Sequence, residues 1–139
     1  MDIRMIDSEL SVAAQLQPAD LPALAARGFR TVICNRPDGE AADQPLFAGI
    51  EQAARALGMQ ARYLPAISGK VSHTQAQEFG RLQEEMPKPV LAYCRTGMRS
   101  ITLWALSQAP KRPLPEILQC ASAAGFDLRG VLGPSGVGA

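Results

Sequence analysis

The feature that most constrains the fold is an apolar segment that leads directly into a loop of reactive and charged residues. Residues 89–93 (PVLAY) have the length and apolar character of a buried strand, and residues 94–100 (CRTGMRS) follow without a break. The next segment, residues 101–106 (ITLWAL), has helical character. A strand, a tight loop and a helix in this order are typical of a sheet covered by helices.

The rest of the chain continues this alternation of strands and helices. Strands are predicted at residues 11–16, 29–34 and 59–65, and helices at about 18–27, 44–57, 72–86 and 115–124. This order predicts a single layered α/β domain over residues 1–139, with a central, mostly parallel sheet of four or five strands flanked by helices. Residues 131–139 are predicted to form a flexible tail. The carboxyl ends of parallel strands carry the functional site in such folds.

Composition and charge exclude several classes of function. The 14 Lys and Arg residues and 13 Asp and Glu residues give a net charge of +1, without the basic excess of a nucleic-acid-binding protein. No apolar segment is long enough to cross a bilayer, and the first residues lack the apolar core of a secretory signal. We therefore expect a cytoplasmic protein that binds neither nucleic acid nor membranes.

The cysteines and the histidine do not form a metal-binding pattern. Cys34, Cys94 and Cys120 lie far apart, and an odd number of cysteines in a reducing compartment is not a disulfide framework. The chain has one histidine, His73, and no paired cysteines. We expect no metal and no organic cofactor.

Residues 94–100 combine the groups of an anion-binding site. Gly97 permits a curled backbone whose N–H groups point inward, and the following helix presents its N-terminus. These groups and the Arg99 guanidinium favour negative charge, so we expect Cys94 to be an ionised nucleophile at neutral pH. Arg99 can hold an anion through two parallel hydrogen bonds. The predicted site comprises Cys94 and Arg99 as catalytic residues, with the loop residues Arg95, Thr96, Gly97, Met98 and Ser100.

Each of these assignments has a simpler alternative. The loop could be an ordinary strand-to-helix turn with a buried thiol and two solvated arginines. Ser100 either donates its hydroxyl to the Cys94 sulfur or caps the helix, and Arg95 either attracts anions or is plain surface charge.

Residues that could assist the Cys94 loop are predicted at the end of the strand at residues 29–34 and in the turn that follows it. Cys34 is a candidate resolving thiol for an oxidised or persulfidated Cys94, although core packing is the commoner role of such a residue. In the following turn, Arg36 adds positive potential and Asp38 orients Arg99 or Arg95, unless both serve only the turn.

Three segments together resemble a known family. They are SVAAQLQPADLPALAARGFRTVICNRPDGE, PVLAYCRTGMRS and AAGFDLRG. They resemble the phosphatase-like domain named after the beta-lactamase hydrolase-like proteins, a bacterial family with the dual-specificity tyrosine phosphatase fold. The resemblance covers nearly the whole chain and implies that Cys94 is the nucleophile and that Arg99 belongs to the anion-binding loop. Some similar domains are fused to sulfur-oxidising enzymes and associated with sulfur transfer.

Two departures from the tyrosine phosphatase pattern bear on the reaction. Those enzymes place five residues between cysteine and arginine, whereas four separate Cys94 from Arg99, as in rhodanese-type sulfurtransferases. The segment PAISGKVSHTQ lacks the aspartate that protonates the leaving group in those phosphatases. His73 is its only substitute near neutral pH, unless Asp38 or Glu40 reaches in from the neighbouring turn.

These departures favour sulfane-sulfur transfer through a persulfide on Cys94. A small anionic sulfur donor would supply the sulfur and an acceptor thiol would receive it, and a departing thiolate needs little help from an acid. The alternative is a phosphatase that forms a cysteinyl-phosphate on a phosphorylated substrate. A second alternative is a non-catalytic module that binds anions or phosphorylated ligands.

Overall fold

The structure, a computed structural model, describes residues 1–132. Its strands are β1 (Ile3–Met5), β2 (Leu10–Ala13), β3 (Thr31–Cys34), β4 (Gln60–Tyr63) and β5 (Val90–Tyr93). A 3-10 turn (Pro18–Asp20) precedes the helices α1 (Leu21–Ala26), α2 (Phe47–Ala56), α3 (His73–Glu85), α4 (Met98–Gln108), α5 (Leu114–Ala123) and α6 (Arg129–Leu132).

The strands form one five-stranded sheet in the order β1-β2-β5-β3-β4. Only β1 is antiparallel to its neighbour within this described sheet, so the predicted mostly parallel sheet is confirmed. Cys34 at the end of β3 is in register with Tyr93 on β5 and with Tyr63 on β4. Because these strands end together, the loops that follow them lie side by side at one edge of the sheet.

Both faces of the sheet are covered by helices, which confirms the predicted layered α/β fold. On β5, Val90 and Ala92 pack in the core on the side of α3, α4, α5 and α6. Leu91 and Tyr93 pack on the opposite side, against α1 and α2. A strand that is buried on both faces is apolar at every position, which explains the unbroken apolar segment at residues 89–93.

The predicted elements are present with shifted ends, and two short elements were missed. The strand predicted at residues 11–16 is β2, which ends at Ala13, so the residues after it belong to a loop that reaches the site. β1 and α6 have three and four residues, too few to show a hydrophobic period. Of the tail predicted at residues 131–139, the first two residues belong to α6 and the others lie outside the described residues.

Among residues 1–132, no helix has both the length and the apolar content needed to cross a bilayer. The cytoplasmic location stays a prediction.

Candidate functional site

The loop between β5 and α4 is shaped by Gly97. This residue precedes the first residue of α4 and has a φ of 95°, in the left-handed region. A Cβ atom at this position would lie 3.1 Å from Cζ of Phe126, in the loop between α5 and α6. The tight turn and the close approach of an aromatic ring therefore both require glycine here.

Cys94 lies at the bottom of this loop. Its side chain is buried, and the Gly97 N–H donates a hydrogen bond to its sulfur, with an N–Sγ distance of 3.1 Å. The Cys94 N–H donates to the carbonyl of Ala13 on β2, which extends the sheet by one residue. The sulfur is thus held at the carboxyl end of the sheet, where the sequence predicted it.

Several backbone N–H groups of the loop are available to a ligand. The Met98 N–H donates to Oγ1 of Thr96, and the Gly97 N–H donates to the Cys94 sulfur. Within residues 1–132, the other N–H groups after Cys94 have no hydrogen-bond acceptor; they belong to Arg95, Thr96, Arg99 and Ser100. Unpaired donors at the start of a helix are suited to an anion.

The Arg99 side chain is held by a neighbouring loop. Its Nη1 and Nη2 atoms donate to the two carboxylate oxygens of Glu40, at 2.7 and 2.9 Å, and Nη1 also donates to the carbonyl of Ala66. The Arg99 side chain is 7% exposed. Glu40 is the main cause of a raised Arg99 pKa, which burial opposes and the charge of Cys94 reinforces. The Arg99 guanidinium is therefore close enough to interact electrostatically with both Glu40 and Cys94.

Glu40 is bound by a second arginine. Arg36 donates from Nε to Oε1 of Glu40, at 2.9 Å, and from Nη1 to Oε1 of Gln15. The hydrogen bonds from Arg99, followed by the one from Arg36, lower the pKa of Glu40 from 4.5 to about 2. Glu40 is consequently a carboxylate near neutral pH and has no proton to give to a leaving group.

Asn35 connects the three loops at this edge of the sheet. Its Oδ1 accepts from the Ser100 hydroxyl at 2.8 Å, and its Nδ2 donates to the carbonyl of Leu64 after β4. Asn35 and Ser100 are both fully buried. The Ser100 hydroxyl is therefore directed to Asn35, and neither of its two predicted roles is observed.

The predicted residues of the turn after β3 take different positions. The Arg36 guanidinium is buried against Glu40 and Gln15. Glu40 lies between Arg36 and Arg99 and accepts hydrogen bonds from both. Asp38 does not pair with Arg99 or Arg95: its carboxylate accepts from the Phe47 N–H at the start of α2. Glu40, which the sequence offered only as a proton donor, makes the pairing with Arg99 that was predicted for Asp38.

Among the described hydrogen bonds, none joins Cys34 or His73 to residues 94–100. Cys34 packs on the α1 and α2 side of the sheet and donates from its thiol to the carbonyl of Arg36, at 3.2 Å. Burial raises the pKa of the Cys34 thiol, which supports the core-packing interpretation. His73 is exposed as the first residue of α3. Arg95, Thr96 and Met98 are exposed at the mouth of the loop.

Sequence reasoning missed three residues of this site, Asn35, Gln15 and Phe126, and gave Glu40 a different role. Asn35 and Glu40 lie in the turn that was assigned to the site, but their partners depend on the adjacent strand. Gln15 follows β2, and Phe126 lies in the segment AAGFDLRG that carries part of the family resemblance. Among the described residues, no group of three His, Cys, Asp or Glu side chains is placed to hold a metal ion.

Comparison with known sequences identifies relatives of most of the chain. The family model described as the beta-lactamase hydrolase-like protein, phosphatase-like domain, matches residues 2–111. A beta-lactamase hydrolase-like protein of Agrobacterium fabrum is 36% identical over 104 residues, which cover 75% of this chain and 24% of that protein. The chain spans 24% to 30% of the length of the curated relatives that it matches.

Solved structures agree with this assignment. A crystal structure of a proposed phosphatase from Neisseria meningitidis has a TM-score of 0.84 and 37% identity, covering 94% of this chain and 93% of that one. Tk-PTP in its active form has a TM-score of 0.72 and 23% identity, covering 89% and 84%, which shows a shared fold. The family model and the Neisseria structure fit a phosphatase-like domain, and none of these similarities supports the sulfur transfer that the sequence favoured. Family model, relatives and fold together show that the chain belongs to the phosphatase-like domain family of the beta-lactamase hydrolase-like proteins.

Proposed function

We propose that this protein is a phosphatase-type hydrolase that acts on a phosphorylated substrate with Cys94 as its nucleophile. The observation that carries the proposal is the position of the Cys94 sulfur beneath the N-terminus of α4, in a loop with unpaired N–H donors and beside Arg99. Membership of a phosphatase-like family agrees with it.

The unpaired donors of the loop support a phosphoryl group as its ligand in spite of the short spacing. A transferring phosphoryl group carries its charge on three oxygens, which need donors directed at them. The unpaired N–H groups of Arg95, Thr96, Arg99 and Ser100 are available, as is one edge of the Arg99 guanidinium. These donors outnumber the three phosphoryl oxygens, which supports phosphate as a ligand of a loop with four residues between Cys94 and Arg99.

The proposed reaction has two steps. The Cys94 thiolate attacks phosphorus, the bond between phosphorus and the ester oxygen breaks, and the alcohol or phenol leaves and takes a proton from solvent. Water then attacks the cysteinyl-phosphate, inorganic phosphate leaves, and the thiolate is restored. The loop N–H groups and Arg99 stabilise the charge on the phosphoryl oxygens in both transition states.

Sulfane-sulfur transfer is the second candidate, because four residues separate Cys94 from Arg99, the spacing of rhodanese-type loops. It requires a small anionic sulfur donor and an acceptor thiol, and its intermediate is a persulfide on Cys94.

One pair of assays separates these functions. The purified protein is tested for hydrolysis of an aryl phosphate and, separately, for transfer of sulfur from thiosulfate to cyanide, with Cys94→Ser as the control in both. We expect aryl phosphate hydrolysis that Cys94→Ser abolishes. Sulfur transfer without hydrolysis would reverse the order of the two candidates. Phosphate binding by Cys94→Ser, with neither activity in the wild type and no covalent adduct on Cys94, would indicate a binding module.

A further inference from the structure

The hydrogen bonds of Arg99 use one edge of its guanidinium and leave another edge unused. A guanidinium has five N–H donors in a planar fork. Glu40 accepts from Nη1 and Nη2, which form the end of the fork, and the carbonyl of Ala66 accepts the remaining Nη1 donor. Within residues 1–132, no oxygen acceptor takes the Nε donor or the second Nη2 donor, and Cys94 is the other side chain that interacts with this guanidinium and raises its pKa. These two donors form the side edge of the fork, which fits two oxygens of one anion.

Glu40 is itself restrained, so it can hold Arg99 in a fixed orientation. Its Oε1 accepts from Nε of Arg36, and Nη1 of Arg36 donates to the side chain of Gln15. Gln15 is anchored to the anion-binding loop, because its own N–H donates to the carbonyl of Arg95. Gln15, Arg36, Glu40 and Arg99 are therefore linked in series by hydrogen bonds. This series is attached to the anion-binding loop at both ends, through Arg95 and through Arg99.

The charges of Arg36, Glu40 and Arg99 also favour an anion at the unused edge of the Arg99 guanidinium. Two guanidinium groups, those of Arg36 and Arg99, share the single carboxylate of Glu40. The cluster keeps a net positive charge, so Glu40 does not cancel the attraction of Arg99 for a phosphoryl group.

We propose that Glu40 is a positioning residue that turns the Nε and Nη2 edge of Arg99 toward the anion bound above Cys94. The inference rests on the proposed function for its substrate, a phosphate monoester, but its central prediction concerns anion binding alone. Glu40 acts through Arg99 and touches neither the phosphoryl group nor the sulfur.

If Glu40 instead competed with the substrate for Arg99, its removal would have the opposite effect on anion binding. A carboxylate that competes with the substrate for Arg99 would inhibit the site, and its removal would strengthen the binding of an anion. A positioning carboxylate improves binding, and its removal weakens it. The sign of the change in phosphate affinity therefore decides between the two roles.

The test measures the dissociation constant of inorganic phosphate by calorimetry, and kcat and KM for an aryl phosphate, in the wild type and in Glu40→Gln. An amide keeps the shape of the carboxylate but can accept from only one Arg99 nitrogen, so we expect phosphate binding to weaken by about tenfold or more and kcat to fall as well. Glu40→Asp retains the charge and should recover part of the loss. Glu51→Gln is the matched control, because Glu51 also pairs with an arginine, Arg55, but on the surface of α2. It should leave every value unchanged.

The outcomes separate this inference from the proposed function. Weaker phosphate binding by Glu40→Gln, in a wild type that binds phosphate but hydrolyses no ester, supports the positioning role and contradicts the hydrolase. Equal or tighter binding by Glu40→Gln, in a wild type that hydrolyses the ester, overturns the positioning role and leaves the hydrolase standing. If Glu40→Gln does not fold, the same comparison is made with Glu40→Asp, for which unchanged phosphate affinity and kcat would contradict the inference.

Discussion

Glu40 and Arg99 are 59 residues apart in sequence and are joined by two hydrogen bonds of 2.7 and 2.9 Å. The contact exists because β3 and β5 are neighbours in the sheet, so the loops that follow them meet at its carboxyl edge. It connects the turn after β3 to the start of α4, where the Cys94 loop presents its N–H groups.

Glu40 makes stability dependent on pH in the acid range. Its pKa is about 2 in the folded protein, against an ordinary value of 4.5, so the unfolded chain binds a proton first as the pH falls. The stabilisation is complete above the ordinary value and is lost as the pH approaches 2. In thermal denaturation followed from about pH 6 to about pH 2.5, Glu40→Gln should lose less stability than the wild type. Glu51→Gln should follow the wild-type curve, and parallel curves for Glu40→Gln and the wild type would contradict the prediction.

Gly97→Ala should impair both stability and activity. A residue with a side chain costs about 1–2 kcal/mol in the left-handed region, and the new Cβ would press on Phe126. Urea denaturation measures the cost, and aryl phosphate hydrolysis should fall because the loop N–H groups move. Gly49→Ala is the control, because Gly49 lies inside α2 and its nearest neighbouring atom would be 3.7 Å from the new Cβ. A Gly97→Ala variant as stable and as active as Gly49→Ala would show that the turn does not need glycine.

Ser100→Ala should destabilise the fold by about 1–3 kcal/mol, because it leaves the buried Oδ1 of Asn35 without its donor. Chemical denaturation of the variant gives this number. Ser122→Ala, at an exposed position on α5, serves as the comparison and should stay within a few tenths of the wild type. A similar loss in both variants would mean that the Ser100–Asn35 hydrogen bond contributes little.

The cysteines should differ in reactivity. Burial raises the pKa of Cys34, and its thiol donates to the Arg36 carbonyl, so it should react slowly with iodoacetamide. Cys94 should be alkylated with loss of activity, and inorganic phosphate should protect it. Peptide mapping after partial alkylation identifies the modified residue. Cys120→Ser should retain full activity. Inactivation that follows modification of Cys34, with Cys94 unmodified, would contradict the assignment.

The rate of ester hydrolysis should depend strongly on the leaving group. Glu40 is held as a carboxylate and Asp38 is bonded to α2, so neither supplies a proton to the departing oxygen. A general acid contributes roughly 10²–10⁴-fold, so alkyl phosphates should be hydrolysed more slowly than aryl phosphates by a factor in this range. A series of substituted phenyl phosphates measures the dependence of kcat/KM on leaving-group basicity. A flat dependence would reveal a proton donor that we have not identified.

The sequence by itself determined the centre of the fold and the position of the reactive loop. An unbroken apolar strand, a glycine and a helix are local features, and the buried strand β5 leading into Cys94 follows from them. The alternation of strands and helices was also sufficient for the layered fold and the mostly parallel sheet. Family resemblance then assigned roles to Cys94 and Arg99 that the pattern alone left open.

Only the tertiary structure decided which side chains meet around that loop. Asp38 and Glu40 are both acidic and lie two residues apart. The pairing of β3 with β5 brings their turn next to Arg99, and within that turn Glu40 pairs with Arg99 while Asp38 binds the start of α2. Ser100 likewise finds Asn35 across the same strand pair. These contacts depend on the order and register of strands that are distant in sequence. A local pattern carries no information about either property, because each is set by how the helices and strands pack together.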